Sequence, residues 1–179
     1  MPPILVVLVR DLKPSDFTDI VDNYYGFYDE IREYPSFGIT LYHKKPSLSD
    51  ELNWFSGLYR MMTDGDAIAV VAEIDSHVVG LCQVTRQQPG SDASHRGGLG
   101  ISVSKDHRGK GVGTALMQET LQRCKGKFEI IELSVFTTNQ VARKLYEKFG
   151  FKTFGVRPRS NKRGDMYFEQ QLMRLDLQP

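Results

Sequence analysis

Apolar residues along this chain fall into short continuous or alternating runs and into stripes at helical spacing, with polar punctuation between them. Ile4–Arg10 reads as a first strand. Pro14, Ser15 and Asp16 form a helix start, and Phe17, Ile20, Val21, Tyr24 and Tyr28 follow at helical spacing. The stretch from Pro35 to Pro46 is irregular. Ser47 or Ser49 can cap a second helix with Leu52, Phe55, Leu58, Tyr59 and Met62 on one face, ended by Asp64-Gly65-Asp66. Ala67–Ile74 and Val78–Arg86 flank Asp75-Ser76-His77 as a hairpin, and Gln87–Arg96 is a polar loop. Leu99–Val103 is a strand, Gly111–Lys125 a helix closed by Gly126, Glu129–Val135 a strand and Asn139–Phe149 a helix. Phe151–Val156 and Tyr167–Leu175 are two last strands around a basic loop.

The order βααβββαβαββ combines antiparallel hairpins with strand–helix–strand crossovers. It predicts an α/β (α+β) fold with a mixed central sheet and helices on both faces. No repeat, low-complexity segment or linker interrupts residues 1–179, so one domain is expected. Hydrophobic residues make up 40% and charged residues 25%, an ordinary globular balance. A net charge of +1 gives no global drive toward nucleic acid or membrane. The apolar run Ile4–Val9 is six residues long and meets Arg10-Asp11, a strand rather than a signal peptide or a span. Cys82 falls in a strand and Cys124 in a helix, so two buried thiols are expected rather than a disulfide. His43, His77, His95 and His107 show no ligand-like spacing, and no metal is expected. A cytoplasmic location is the simplest expectation.

Candidate chemistry concentrates where a strand gives way to a helix. In Val103–Thr114, three alternating glycines (Gly109, Gly111, Gly113) follow Arg108 at the mouth of a helix. Backbone N–H groups there, helped by the helix dipole, form a cradle for a phosphate. P-loop spacing does not fit, because Lys110 is followed by Gly111. Nor does G-x-G-x-x-G, whose third position falls on Thr114 or Leu116. What fits is Arg-x-x-Gly-x-Gly, as Arg108, Gly111 and Gly113. In this the chain resembles the GNAT superfamily of acetyl-CoA-dependent N-acetyltransferases. A second segment, Asn139-(x2)-Ala142-(x2)-Leu145-Tyr146-(x2)-Phe149-Gly150-Phe151, is similar to another signature of the same superfamily. Its four apolar residues share one helix face, and Gly150 terminates the helix.

The resemblance covers nearly the whole chain and implies a fourth and a fifth strand that splay apart, with the pantetheine arm of acetyl-CoA in the gap. It implies pyrophosphate on the backbone of Arg108, Gly109, Lys110, Gly111, Val112, Gly113 and Thr114, and main-chain bonds from Ile101 and Val103 to the arm. Asn139 matches the asparagine that contacts the arm, and it also suits a helix N-cap. Tyr146 matches the tyrosine that protonates the departing thiolate. Where some members carry a basic glutamate this chain has Ser134. Glu132, two residues earlier on the same strand face, is the first candidate base, and His95 at the rim of the fourth strand is the second. Aromatic residues from Tyr24 to Tyr42 are expected to furnish an acceptor pocket, with Glu169 and the basic segment Arg157–Arg163 as further contacts. The implied reaction is direct acetyl transfer to a primary amine: a small amine, an amino acid derivative, a polyamine or a protein amino group. The competing reading is a non-catalytic CoA-binding sensor on the same fold. Acetyl-CoA, an amine acceptor and a second copy of the chain (a homodimer) are the expected partners.

Overall fold

A computed structural model of the chain describes residues 6–177. The elements in order are β1 Leu8–Asp11, α1 Phe17–Glu33, α2 Leu48–Thr63, β2 Ala67–Ile74, β3 His77–Arg86, β4 Arg96–Val103, α3 Val112–Cys124, β5 Ile130–Phe136, α4 Gln140–Lys148, β6 Lys152–Arg163 and β7 Met166–Asp176. Residues 4 and 5 of the expected first strand lie outside the described residues. Short 3-10 turns precede α1 (Pro14–Asp16) and lie between β4 and α3 (Lys105–His107).

Ser47 starts α2: its hydroxyl accepts from the Asp50 N–H at 3.2 Å, and the Asp50 carboxylate takes the Ser47 N–H at 2.9 Å. Reciprocal capping of this kind satisfies donors that the helix leaves orphaned. The inner face of α2 differs from expectation. Glu51, Phe55 and Leu58 are buried, whereas Leu52 is 52% exposed and Tyr59 37% exposed. The helix is rotated so that a glutamate, not a leucine, opens its core stripe.

One seven-stranded sheet runs β1-β2-β3-β4-β5-β7-β6, and every neighbouring pair is antiparallel except β4 and β5. β2 is buried on both faces. Its Ile68, Val70 and Ala72 join the larger core, with Leu116, Met117, Ile131 and Met173. Its Ala69 and Val71 join a smaller core with Ile20, Phe55, Leu58 and Leu81 beneath α1 and α2. Burying each large side chain contributes roughly 1.5–3 kcal/mol. Cys82 and Cys124 are buried free thiols, both pushed up to about 12 by desolvation. The basic segment at residues 157–163 is strand, not loop. It continues β6 through an irregularity near Arg159, whose φ is 51°, and the turn falls at Gly164-Asp165.

Candidate active site

β4 and β5 meet over only three rungs, Arg96↔Ile130, Gly97↔Ile131 and Gly98↔Glu132. Beyond Gly98 they diverge into a fork. Antiparallel pairing alternates which residues turn their N–H and C=O toward a given neighbour. Ser104 N–H bonds Val79 O and Gln87 N–H bonds Arg96 O, so the even-numbered residues of β4 face β3. Leu99, Ile101 and Val103 therefore turn their backbone groups into the fork. On the other arm, Thr137 N–H bonds Glu169 O, which turns Ser134 and Phe136 inward from β5. The fork is a slot with backbone donors and acceptors on both walls.

At the open end of that slot lies the glycine loop. Gly109 (φ 71°) and Gly111 (φ 85°) are left-handed, a conformation that a side chain would strain. Gly113 serves differently: a Cβ there would stand 3.3 Å from Leu145 Cδ2, so it lets α3 approach α4. Among the described residues, the N–H groups from Gly109 to Thr114 donate to no backbone or side-chain acceptor. Gly111 caps α3 with no side-chain bond. The N–H of Arg108 is already directed at Lys105 O, at 3.4 Å. Its guanidinium turns away from the loop mouth to the buried Glu30 on α1, at 2.6 and 2.7 Å, and to Val103 O at 2.8 Å. Phe27 and Phe37 flank it, at 5.3 and 5.0 Å from their ring centres. Arg108 thus fixes the loop against α1, and the free cradle runs from Gly109 to Thr114.

Asn139 caps α4 by accepting the Ala142 N–H at 3.2 Å, and its Nδ2 donates to Gly38 O at 3.3 Å. Gly38 comes so close that a Cβ would lie 2.9 Å from Asn139 Cβ. Tyr146 is 7% exposed, packed beside Phe151 in the larger core. Burial pushes its phenol well above the ordinary value, and the nearby Cys82 adds to the rise. Glu132 stands at the last rung of the fork, and its Oε2 accepts from Gln87 Nε2 at 3.3 Å and Arg96 at 3.4 Å. His95 precedes β4, with its Nδ1 3.0 Å from Asp92 O. The rungs at Arg96 and Gly97 separate it from the fork's opening.

A cavity of about 1260 Å³ opens between α1, α2, the α1–α2 loop and the sheet, against Gly100, Ile101 and Ser102 of β4. Tyr24 and Phe27 reach it from α1, and Glu51 and Trp54 from α2. His43, Lys44 and Lys45 come from the loop, and Gln83 from β3. Glu132 and His95 do not line it. The loop is held from the far side of the fork. Arg163 on β6 donates to the carbonyls of Pro35, Phe37 (3.1 Å) and Ile39 (2.7 Å), and Asn161 donates to Thr40 Oγ1 at 3.1 Å. Arg159 instead lies over the Tyr167 ring at 3.9 Å, and Glu169 is exposed. Sequence reasoning missed Glu51, and it took Arg163 as an acceptor contact rather than as the brace of the α1–α2 loop. The available signal for Glu51 was a charged residue four and seven positions before Phe55 and Leu58.

A mixed seven-stranded sheet, a fork between its two parallel strands and a free N–H cradle at the mouth of the following helix together define the class of α/β fold. The Acetyltransferase (GNAT) family profile matches residues 24–151, and the chain belongs to that family. It is 35% identical over 106 residues to the L-amino acid N-acetyltransferase AaaT of Escherichia coli (strain K12), a match covering 58% of this chain and 65% of that relative. An N-acetyltransferase from Staphylococcus aureus Mu50 superimposes with TM-score 0.82 at 21% identity, over 97% of this chain and 99% of that one. A GNAT superfamily phosphinothricin acetyltransferase from Sinorhizobium meliloti, in complex with AcCoA, gives TM-score 0.79 at 22% identity, over 96% of this chain and 88% of that one. No helix among the described residues is long and apolar enough to cross a membrane.

Proposed function

We propose that this chain transfers the acetyl group of acetyl-CoA to the primary amine of a small amino-acid-like acceptor, by direct attack within one ternary complex. The observation that carries the reading is the fork with its glycine cradle. The N–H groups of Gly109–Thr114 receive the pyrophosphate, and Lys110, exposed beside them, adds positive charge. Ile101 and Val103 bond the pantetheine arm through the backbone groups that face the fork, as an added strand is bonded at a sheet edge. Asn139 holds the fork's outer end through Gly38.

Tyr146 gives a proton to the departing sulfur, a role suited to a phenol that burial keeps protonated. Of the two bases that the sequence offers, Glu132 at the fork is the better positioned, and one of its carboxylate oxygens accepts both side-chain bonds. The acceptor class rests on the cavity's size, on the cationic Lys44 and Lys45 as a seat for a carboxylate, and on the likeness to an L-amino acid N-acetyltransferase.

The test is release of CoA thiol with the twenty L-amino acids, putrescine and an alanine-initiated peptide, alongside calorimetric titration of acetyl-CoA. Gly111→Val is expected to weaken acetyl-CoA binding by at least tenfold while the circular dichroism spectrum stays unchanged. Tight acetyl-CoA binding with no thiol release for any amine favours the non-catalytic sensor. Unchanged affinity in Gly111→Val removes the cradle from the site.

A further inference from the structure

Glu51 is a carboxylate in a core position. It occupies the first turn of α2, on the face that continues into Phe55 and Leu58, and is 6% exposed. Among the described residues its side chain makes no hydrogen bond and no ion pair, unlike Glu30 and Asp16, which are buried against arginines. Asp50 beside it is occupied with Ser47. Its carboxylate oxygens are not fully enclosed, but a carboxylate so little exposed and without a partner is costly, and proteins pair such groups. Glu51 borders the cavity that opens onto β4. From the sheet, Gln83 borders the same cavity, and its Oε1 is buried with no hydrogen-bond partner. An unpartnered carboxylate on the wall of a cavity calls for a donor with several hydrogens, and an ammonium is such a group.

Resting on the acetyltransferase reading above, we propose that Glu51 is the residue that receives the acceptor's ammonium and takes its proton. The proton passes from nitrogen to a Glu51 carboxylate oxygen, and the freed lone pair attacks the thioester carbonyl carbon. The C–N bond forms as the C–S bond breaks. A second proton leaves the nitrogen, and the sulfur is protonated through Tyr146. The net products are the N-acetyl compound, CoA thiol and one proton, which Glu51 returns to solvent.

Burial pushes the Glu51 carboxyl above its ordinary value, with Asp50 adding to the rise, and this brings it nearer to an ammonium as a proton acceptor. The other titratable groups facing this region are few. From α1 come Tyr24, itself pushed up by burial, and Tyr25. The loop supplies Tyr42, His43, Lys44 and Lys45, and Lys45 lies 4.5 Å from the Tyr25 ring centre. The sheet contributes no ionisable side chain to the cavity wall.

Glu51→Gln is expected to lower kcat/KM for the best amine of the panel by roughly 10²–10³-fold at neutral pH. It should abolish the acidic limb of the pH–rate profile and be partly rescued as pH rises. Glu51→Asp should fall between the two, while His43→Gln keeps the limb. Titration of L-alanine into the CoA-saturated protein reads the ammonium contact without turnover, and Glu51→Gln should bind at least tenfold more weakly. Because the charge is unpaired in the free protein, Glu51→Gln should also raise its melting temperature. Several results overturn the proposal: equal affinity for L-alanine, no binding of any panel amine by the wild type, or a lowered melting temperature in Glu51→Gln. So does an acidic limb that survives Glu51→Gln and vanishes in Glu132→Gln, which sends the proton to Glu132 and leaves acetyl transfer standing. Absent thiol release with retained amine binding defeats the acetyltransferase reading and leaves the ammonium contact standing.

Discussion

Tyr146 combines two demands that rarely coincide, since it is core packing and also the proposed acid. Helical spacing from Ala142 and Leu145 puts it on the inner face of α4, and burial raises its pKa as a direct result. A phenol below its pKa stays protonated, so its proton is available across the whole neutral range and is lost only on the alkaline side of the ordinary phenol value. Tyr146→Phe is expected to lower kcat by roughly 10²–10³-fold while the acetyl-CoA dissociation constant stays within about twofold. Steady-state kinetics and calorimetry check this, and undiminished turnover removes Tyr146 from the mechanism. Arg108 shows the converse. Its backbone was expected in the cradle, yet its N–H is directed at Lys105 O, and its side chain is spent on Glu30 and Val103 O.

Among the elements, the α1–α2 loop owes its place to residues more than a hundred positions away. Arg163 supplies donors to the carbonyls of Pro35, Phe37 and Ile39, where the irregular backbone has no ladder of its own. Arg163→Ala is expected to raise the amine KM on the order of tenfold, equivalent to ~1.4 kcal/mol, because the cavity wall loses its brace. Acetyl-CoA affinity should barely change, and kinetics with each substrate varied in turn distinguish the two. The same contrast divides what the sequence made legible from what it did not. From Ala67 to Phe151 the strands and helices follow from local pattern, except that β4 begins at Arg96 rather than the expected Leu99, because Gly97-Gly98 reads as loop and pairs only through its backbone with β5. The α2 face was misread because leucine and tyrosine outrank glutamate in any apolar count, while the fold spends a core position on Glu51. Residues 157–163 look like a loop because charge suggests solvent, but an outer strand tolerates charged side chains. The two clamps on the α1–α2 loop are non-local contacts, and no spacing rule points to them.

For the whole molecule, the Arg10–Asp16–Glu73 cluster joins β1, the entry to α1 and β2. Arg10 holds Asp16 at 2.8 and 2.9 Å and Glu73 at 2.7 Å. Burial alone would raise the Asp16 pKa, but Arg10 and the Lys13 N–H outweigh it, and the net shift is downward. A lowered folded-state pKa gives stability that is present above the unfolded value and lost as pH falls toward the folded one. Asp16→Asn is therefore expected to cost about 2–4 kcal/mol at pH 7. Its deficit relative to wild type should shrink below about pH 4, the ordinary range for this carboxyl. Urea unfolding at the two pH values reads the difference, and a deficit that does not change with pH assigns the loss to packing.

The narrow seam between β4 and β5 makes the sheet two plates, β1 to β4 and β5 to β7, hinged on three rungs. Asn139 and Arg163 ride on the second plate, yet both grip the loop that walls the cavity over the first. Any wedge that spreads the hinge must drag that wall or break its grip. A molecule filling the slot and one filling the cavity thus load the same few bonds from opposite sides. Whatever affinity the first gains or loses by the second's presence, the second gains or loses by the first's.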